Sequence, residues 1–544
     1  MRPQPIQLKL SDIENNLANG TYVIPAFQRD FVWDIEQSAR LLDSWIKGYP
    51  LGSFILWSTE ERLCPIKKIG NTVLFDIQDP TEKTTYILDG QQRITSIFAA
   101  IRGLQIKNKN YEDIIINLDA DPTDHETRVV TIKTDDTKFQ YVSFTKLLKE
   151  DAFYFVENYP REYVKKIGEI QKKINELDFS AIKIDGASIE VATEIFTRLN
   201  TGGKKLGPFD IMVAKTYKPG VFDLAAKAKE CCESVTPNYQ KIIDNKFILK
   251  VVALCLKKSV SEKSQLSISR DEMIEGFDGV SAAIKSAINF CISSLGIPVG
   301  NMIAYSAILE LFVYFFYEYN KINYLKSPNN NQQKNLIDYY WRCVINERFG
   351  SSTDAKTEED AKNVIDKILA DVEPNRTPLI LSVDAFIANG DFSLQRAIIK
   401  GLIGLLMSKH PKSLSNNSMV SFDVRWVSKS QRNNYHHFFP QNMVGNNWTN
   451  EPVNNICNII LQDASTNQVE IGNRRPSDYI SEFSASNASL QTTLCEHLIY
   501  DIVDYGITAD DFNRFIQKRA SAFIEEIKTR LVLISNDAID STIK

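Results

Sequence analysis

The run Thr85-Tyr86-Ile87-Leu88-Asp89-Gly90-Gln91-Gln92-Arg93-Ile94-Thr95-Ser96 constrains the fold more than any other stretch of this 544-residue chain. Tyr86 to Leu88 read as a strand, Asp89-Gly90 as a tight turn, and a helix then opens through Gln91 and continues past Ala100. Polar groups at a strand-to-helix turn lie beside backbone N–H groups at the positive end of the helix, which makes a ready anion site. Arg93 adds a planar fork suited to phosphate. Asp89 is placed to hold a metal or orient water.

The neighbouring runs supply more of the same chemistry. Ser11 is expected to open a short helix, with Glu14 at capping-box spacing. Ile24-Pro25-Ala26-Phe27-Gln28-Arg29-Asp30-Phe31-Val32-Trp33 reads as an extended segment. An amphipathic helix is expected over Ile35 to Lys47, with Leu41, Leu42, Trp45 and Ile46 on its apolar side and Gly48 as its stop. Leu51 to Trp57 then reads as a buried strand. Further on, a helix through Glu194 to Leu199 ends in the Gly202-Gly203 turn and brings Arg198, Asn200, Lys204 and Lys205 close together. Each piece has an ordinary structural explanation when taken alone. Asp-Gly is a common turn, and Gly-Gly after a helix is usually a C-cap.

In this order the three runs Gln-Arg-x-Phe-x-Trp, Asp-Gly-Gln-Gln-Arg and Arg-Leu-Asn-Thr-Gly-Gly resemble the N-terminal domain of GmrSD-type, modification-dependent restriction enzymes. That domain is similar to the ParB/sulfiredoxin-like fold, and the resemblance covers about residues 5 to 215. It implies binding and hydrolysis of a nucleoside triphosphate, and a part in sensing modified DNA. By position it assigns Asp89, Gly90, Gln91, Gln92 and Arg93 to the nucleotide site, with Gln28 and Arg29 lining the same pocket. Arg198 and Asn200 become candidate phosphate or DNA contacts. A Walker-type Gly-x-x-x-x-Gly-Lys-Ser/Thr loop is absent from the sequence, so this is not a P-loop enzyme.

A second chemical centre lies far along the chain. Of five histidines, two are adjacent in Asn434-Tyr435-His436-His437-Phe438-Phe439-Pro440-Gln441. Neighbouring strand residues point to opposite faces, so one imidazole can hold a metal while the other faces substrate. Neutral imidazole serves both tasks near neutral pH. The amide oxygen of Asn467 is a hard donor suited to Mg²⁺ or Mn²⁺. An ion with only two protein ligands stays open to water and a phosphate oxygen, as phosphodiester hydrolysis requires.

This run resembles the HNH, or ββα-metal, nuclease core. The resemblance implies that His436 is the first metal ligand and His437 the general base. It makes Asn458 the asparagine that orients the loop and the base, and Asn467 the second metal ligand. The two asparagines follow His437 by 21 and then 9 residues. His436 stands where an Asp or Glu is frequent in that family. Arg474 and Arg475 just beyond are candidate phosphate clamps, or else a solvated basic turn.

The rest of the chain bounds these readings. Net charge is −5, so DNA contact must use local basic patches. Eight cysteines without a Cys-x-x-Cys pair fit reduced thiols, neither a disulfide framework nor a zinc site. The N-terminus lacks the apolar core of a signal peptide. Met302 to Tyr317 contains Glu310 and reads as a buried helix too short for a bilayer. A cytoplasmic protein with no membrane partner is therefore expected.

The expected architecture is α+β and multidomain. It comprises a ParB-like α/β domain over 1–215, a helical scaffold over 216–370, and an HNH nuclease domain with C-terminal helices over 371–544. Ser327 to Lys334 reads as an exposed loop or hinge. Leu336 to Phe349 reads as a helix whose Arg342 and Arg348 serve packing and a solvated face. Met419 to Trp426 reads as a strand, Leu494 to Val503 as a helix holding a structural His497, and Asp510 to Leu533 as an amphipathic helix against the nuclease. The function expected is an NTP-regulated, metal-dependent endonuclease of anti-phage defence. Its partners would be DNA, modified phage DNA above all, and NTP, with a homo-oligomer compatible with the chain. A nucleotide-dependent DNA-binding regulator with a degenerate nuclease domain and a toxin-like nuclease are the alternatives.

Overall fold

The computed structural model describes residues 2–25, 28, 31–60, 63, 65, 68–69, 72–73, 83–199, 207–218, 220–323, 326–423, 426, 435–440, 453–462 and 471–543. Two compact units divide the chain, Met1–Leu224 and Ala225–Lys544. The whole is mixed α+β, mostly helical, with small sheets.

The first unit is built on a five-stranded mixed sheet. Its strands are β1 (Arg2–Leu8), β2 (Tyr22–Val23), β3 (Phe54–Thr59), β4 (Thr84–Asp89) and β5 (Phe179–Asp185). Their order across the sheet is β1-β5-β3-β4-β2. β3 runs parallel to β5 and antiparallel to β4, while β2 lies parallel to β4 at the edge. Side chains alternate between two cores. Phe54, Leu56 and Ile87 pack with Trp45, Ile97 and Phe179 on one face. Ile55, Trp57, Tyr86 and Leu88 pack with Ala192 and Phe196 on the other. Cover on both faces is why β3 is buried along its whole length. Each large apolar side chain so buried contributes roughly 1.5–3 kcal/mol.

The helix Ile35–Ile46 matches its amphipathic pattern, and Gly48 beyond it takes a positive φ of 73°. Two local expectations change. The first helix is Leu10–Ala18, and the Asp12 carboxylate accepts from Lys9 N at 2.8 Å, so Asp12 rather than Glu14 closes the cap. Glu14 instead pairs with Arg102 at 2.8 Å. Leu51 to Ser53 stay outside β3, because Arg93 holds their carbonyls.

The second unit is largely helical. Ser306–Ile322 is buried on nearly every side and packs against Asn245–Lys257 and Arg270–Ser293. Burial raises the pKa of Glu310 within it. The polar tract at 327–334 is a helix start, not a hinge. Asn329 caps the helix Asn330–Ile345 through a reciprocal pair with Gln332. Gln332 is itself buried and donates to Leu369 O at 3.1 Å. Arg342 is buried in ion pairs with Asp338 at 3.0 Å and Asp537 at 2.8 Å, and Arg348 pairs with Asp360 at 2.8 Å. No strand forms over the described part of 419–426; Met419 makes only an isolated bridge to Lys412. His497 follows the helix Leu490–Glu496 instead of lying inside one. No helix among the described residues is long and apolar enough to cross a membrane.

Candidate functional site

The paired histidines lie on a short strand, β6 (Tyr435–His437), antiparallel to β7 (Ile459–Leu461), with His436 opposite Ile460 and His437 opposite Ile459. His436 is 4% exposed, while His437 is half-buried. The apolar Phe438-Phe439 step that follows explains why the strand stops there. Phe438 stacks on Phe515 with centroids 4.7 Å apart, and Phe439 meets Phe512 and Phe515. Those partners belong to the helix Phe512–Lys528, which thus packs against the histidine strand as its amphipathic pattern suggested.

Asn458 ties the loop behind His437 to the start of β7. Its side chain is fully buried. It accepts from Phe439 N at 2.9 Å and donates to Phe439 O at 2.9 Å and Val453 O at 3.1 Å. Its backbone oxygen accepts from Phe438 N at 2.8 Å. The N–H and the C=O of Phe439 are both satisfied by one amide, which fixes the loop's position and its orientation together. Losing that amide would leave buried backbone groups unpaired, at about 1–3 kcal/mol each.

His437 Nε2 lies 3.2 Å from Asn454 Oδ1. Burial lowers the pKa of His437, and the bond to Asn454 opposes that shift. The imidazole is therefore neutral at neutral pH and able to accept a proton. Asn454 was not singled out from the sequence. The only hint is the Asn454-Asn455 doublet ahead of Cys457-Asn458. Asn455 is a buried structural partner, donating to Ile387 O at 2.8 Å. Behind β7, the fully buried Arg519 donates to Cys457 O at 2.8 Å and His497 O at 3.1 Å. Without a carboxylate among those contacts, burial drives its pKa down to about 10. His497 is equally buried, with its pKa pushed down to about 4 by desolvation.

Asn467 lies outside the described residues. Arg474 is half-buried and ion-paired with Glu482, whereas Arg475 is exposed at the start of the helix Pro476–Ser486. Among the described residues there is no group of three or more His, Cys, Asp or Glu able to hold a metal ion.

In the first unit, the strand-turn-helix run forms as its sequence suggested. β4 ends at Asp89, Gly90 adopts φ 93°, and a helix runs over Gln91–Arg102. A register slip opposite Ile55 and Leu56 accompanies the turn. A Cβ on Gly90 would lie 2.3 Å from Phe54 Cδ1, so only glycine fits. Arg93 donates to Leu51 O at 2.5 Å, Ser53 O at 3.0 Å and Asp89 Oδ2 at 3.0 Å, and lies over the Phe54 ring. Gln92 Oε1 accepts from Val32 N at 2.9 Å and Trp33 N at 3.3 Å. Gln28 is buried and donates to the carbonyls of Ile87 and Leu88. The first run is thereby stitched to the second. The third run's helix, Ile189–Leu199, packs through Phe196 in the same core as Leu88 and Tyr86. Arg198 on that helix is exposed and paired with Glu194 at 2.5 Å. Arg29 and Asn200 lie outside the described residues. The first two runs thus meet at the carboxyl end of β4, and the helix leading into the third packs through Phe196 on the core behind it.

Residues 9–217 match the family model of the GmrSD restriction endonuclease N-terminal domain. Most of the first unit is thus similar to that N-terminal domain. The match lies wholly within Met1–Leu224, and the histidine strand lies beyond it. An uncharacterized protein of Methanocaldococcus jannaschii is 24% identical over 592 aligned residues, covering 95% of this chain and 98% of that protein. The likeness to that relative therefore runs through both units alike.

Proposed function

We propose that the chain is a metal-dependent DNA endonuclease of the GmrSD restriction type, with nuclease chemistry in its second unit and nucleotide binding in its first. The observation that carries the nuclease reading is the buried Asn458 amide, which pins the loop behind a neutral, half-buried His437. A proton acceptor held that way is what activation of a hydrolytic water requires.

In this reading His437 takes a proton from water, and the resulting hydroxide attacks the phosphorus. Asn458 keeps the base at a fixed distance from the phosphodiester. His436 and Asn467 would hold a divalent ion, Mg²⁺ or Mn²⁺, which when bound supplies charge stabilisation at the phosphorus and the leaving oxygen. Arg475, exposed at a helix start, would meet a phosphate, and Arg474 would exchange its Glu482 partner for one.

In the first unit, Asp89, the Gly90 turn and Gln91 at the helix start would receive the nucleotide's phosphates. Gln28, Gln92 and Arg93 shape that pocket through their bonds to backbone. The likeness to the GmrSD N-terminal domain supports a defence role against modified DNA, phage DNA included. The test is cleavage of unmodified and base-modified phage DNA with Mg²⁺ or Mn²⁺, with and without NTP. Cutting that favours modified DNA and vanishes in His437→Ala supports the reading. NTP hydrolysis without cutting under any of these conditions would replace it with a nucleotide-dependent DNA-binding protein.

A further inference from the structure

Arg519 lies midway along the helix Phe512–Lys528 and is fully buried. Its Nε donates to His497 O at 3.1 Å and its Nη1 to Cys457 O at 2.8 Å, while no acceptor reaches Nη2. The guanidinium carbon lies 5.4 Å from the centre of the Phe523 ring and 6.0 Å from that of Phe515. The titratable groups that favour its charged form are Cys457 and Tyr505. Burial raises both above their ordinary values, Cys457 to about 12, so neither is an anion at neutral pH. Among the described residues the cation therefore has no counter-ion. A buried charge without an anion is costly, and an apolar side chain of similar volume would avoid that cost. What an apolar side chain cannot do is hold two carbonyls from different segments at once, as the planar fork of an arginine does.

One of those carbonyls leads straight to the histidine strand. Cys457 precedes Asn458, whose side chain meets both the N–H and the C=O of Phe439 and whose backbone oxygen accepts from Phe438 N. The same helix reaches that loop by a second route. Phe515, one helical turn before Arg519 and on the same face, stacks on Phe438 at 4.7 Å and lies 5.0 Å from Phe439. Phe523, one turn after it, stacks on Phe386 at 5.8 Å. The guanidinium thus sits between two anchored rings and cannot follow the Cys457 carbonyl if that carbonyl moves.

We infer that Arg519 is a positioning residue for the nuclease reaction: its guanidinium locks the Cys457 carbonyl to the helix Phe512–Lys528 and so holds Asn458, and the loop behind His437 that Asn458 carries, in one place. This rests on the nuclease reading of His437. The charge of Arg519 strengthens its bonds to both carbonyls. A small displacement of a catalytic group is expensive in rate even when binding is untouched, because the reacting atoms no longer meet at the right distance.

The experiment compares the full chain with Arg519→Lys, which keeps the charge but cannot span both carbonyls, and Arg519→Gln, which keeps one bond without the charge. Both should lose kcat for DNA cleavage by about 10- to 100-fold, with KM unchanged. Hydrogen exchange followed by mass spectrometry reads the clamp without activity. Peptides covering Phe438 and Phe439 should exchange about tenfold faster in the folded variants, while those from the buried helix Ser306–Ile322 keep their rate. Wild-type kcat in either folded variant overturns the inference. So does an exchange rate that rises equally in both places, the mark of a general loss of stability. If neither variant folds, the wild type decides: its Phe438 and Phe439 amides should be as protected as those of the helix Phe512–Lys528, and faster exchange there overturns the clamp. A chain that never cuts DNA but shows the faster exchange in the variants would refute the nuclease reading and leave the clamp standing.

Discussion

The turn at Gly90 and the strand at His437 solve one problem, holding a polar loop still, with different materials. At Gly90 the loop is held by charge. Arg93 grips two backbone carbonyls and Asp89 at once, near the protein surface. At His437 it is held by neutral amides, with Asn458 on one side and Asn454 on the other. A charged clamp near water can exchange one anion for another, which suits a site that binds and releases a phosphate ligand. The buried Asn458 amide cannot exchange cheaply, because each bond it breaks leaves an unpaired polar group. That arrangement suits a base that must not move and must stay uncharged until it reacts.

The largest expected effect falls on the second unit alone. His437→Ala should lower DNA cleavage by about 100- to 10,000-fold, the range typical of a positioned acid or base. NTP hydrolysis should be unchanged. Steady-state rates of both reactions on one preparation check this, and a parallel loss of both would dissolve the distinction between the two loops.

Asn458→Ala tests the amide clamp. It removes a fully buried side chain with three hydrogen bonds and should cost about 3 kcal/mol of stability. Calorimetry should show the second unit's transition moving down while the first unit's stays in place. Gly90→Ala is the mirror experiment. It puts a Cβ against the Phe54 ring at a left-handed φ and should destabilise the first unit by about 1–3 kcal/mol. A shift in the second transition instead would show that the two units do not melt separately.

The smallest effect separates the two regions by pH. The pKa of His497 is lowered in the folded state, so the unfolded chain takes up the proton first as pH falls. Its contribution is fully present above the ordinary histidine value and is lost between there and about 4. Denaturant unfolding should therefore show the second unit losing about 2 kcal/mol between pH 7 and pH 5. His497→Gln should flatten that slope, and an unchanged slope would mean that the buried ring is not its source.

How much of this was readable beforehand follows from how local each signal is. The Asp89-Gly90-Gln91 turn and the helix Ile35–Ile46 were legible because turn chemistry and a 3.6-residue period are written in adjacent residues. The His436-His437 pair and Asn458 were legible as a pattern, although nothing in the sequence shows that one amide satisfies both the N–H and the C=O of Phe439. Asn454 was not legible, because Phe392 and Asp391 lie more than sixty positions away. Asn329 was misread for a different reason. A polar, low-complexity tract looks the same whether it is a loop or a capped helix start whose Gln332 is buried against a distant carbonyl. Ser11 and Glu14 had the right spacing for a cap, but Asp12 lay closer to the free N–H and took the role.

The central claim is that base chemistry at His437 and phosphate binding at Asp89 are separate functions of one chain. The most direct measurement is a paired assay of DNA cleavage and NTP hydrolysis in wild type, His437→Ala and Asp89→Ala. The account predicts that His437→Ala loses cleavage and keeps hydrolysis, while Asp89→Ala loses hydrolysis whatever it does to cleavage. Loss of hydrolysis in His437→Ala, or full hydrolysis in Asp89→Ala, would contradict it.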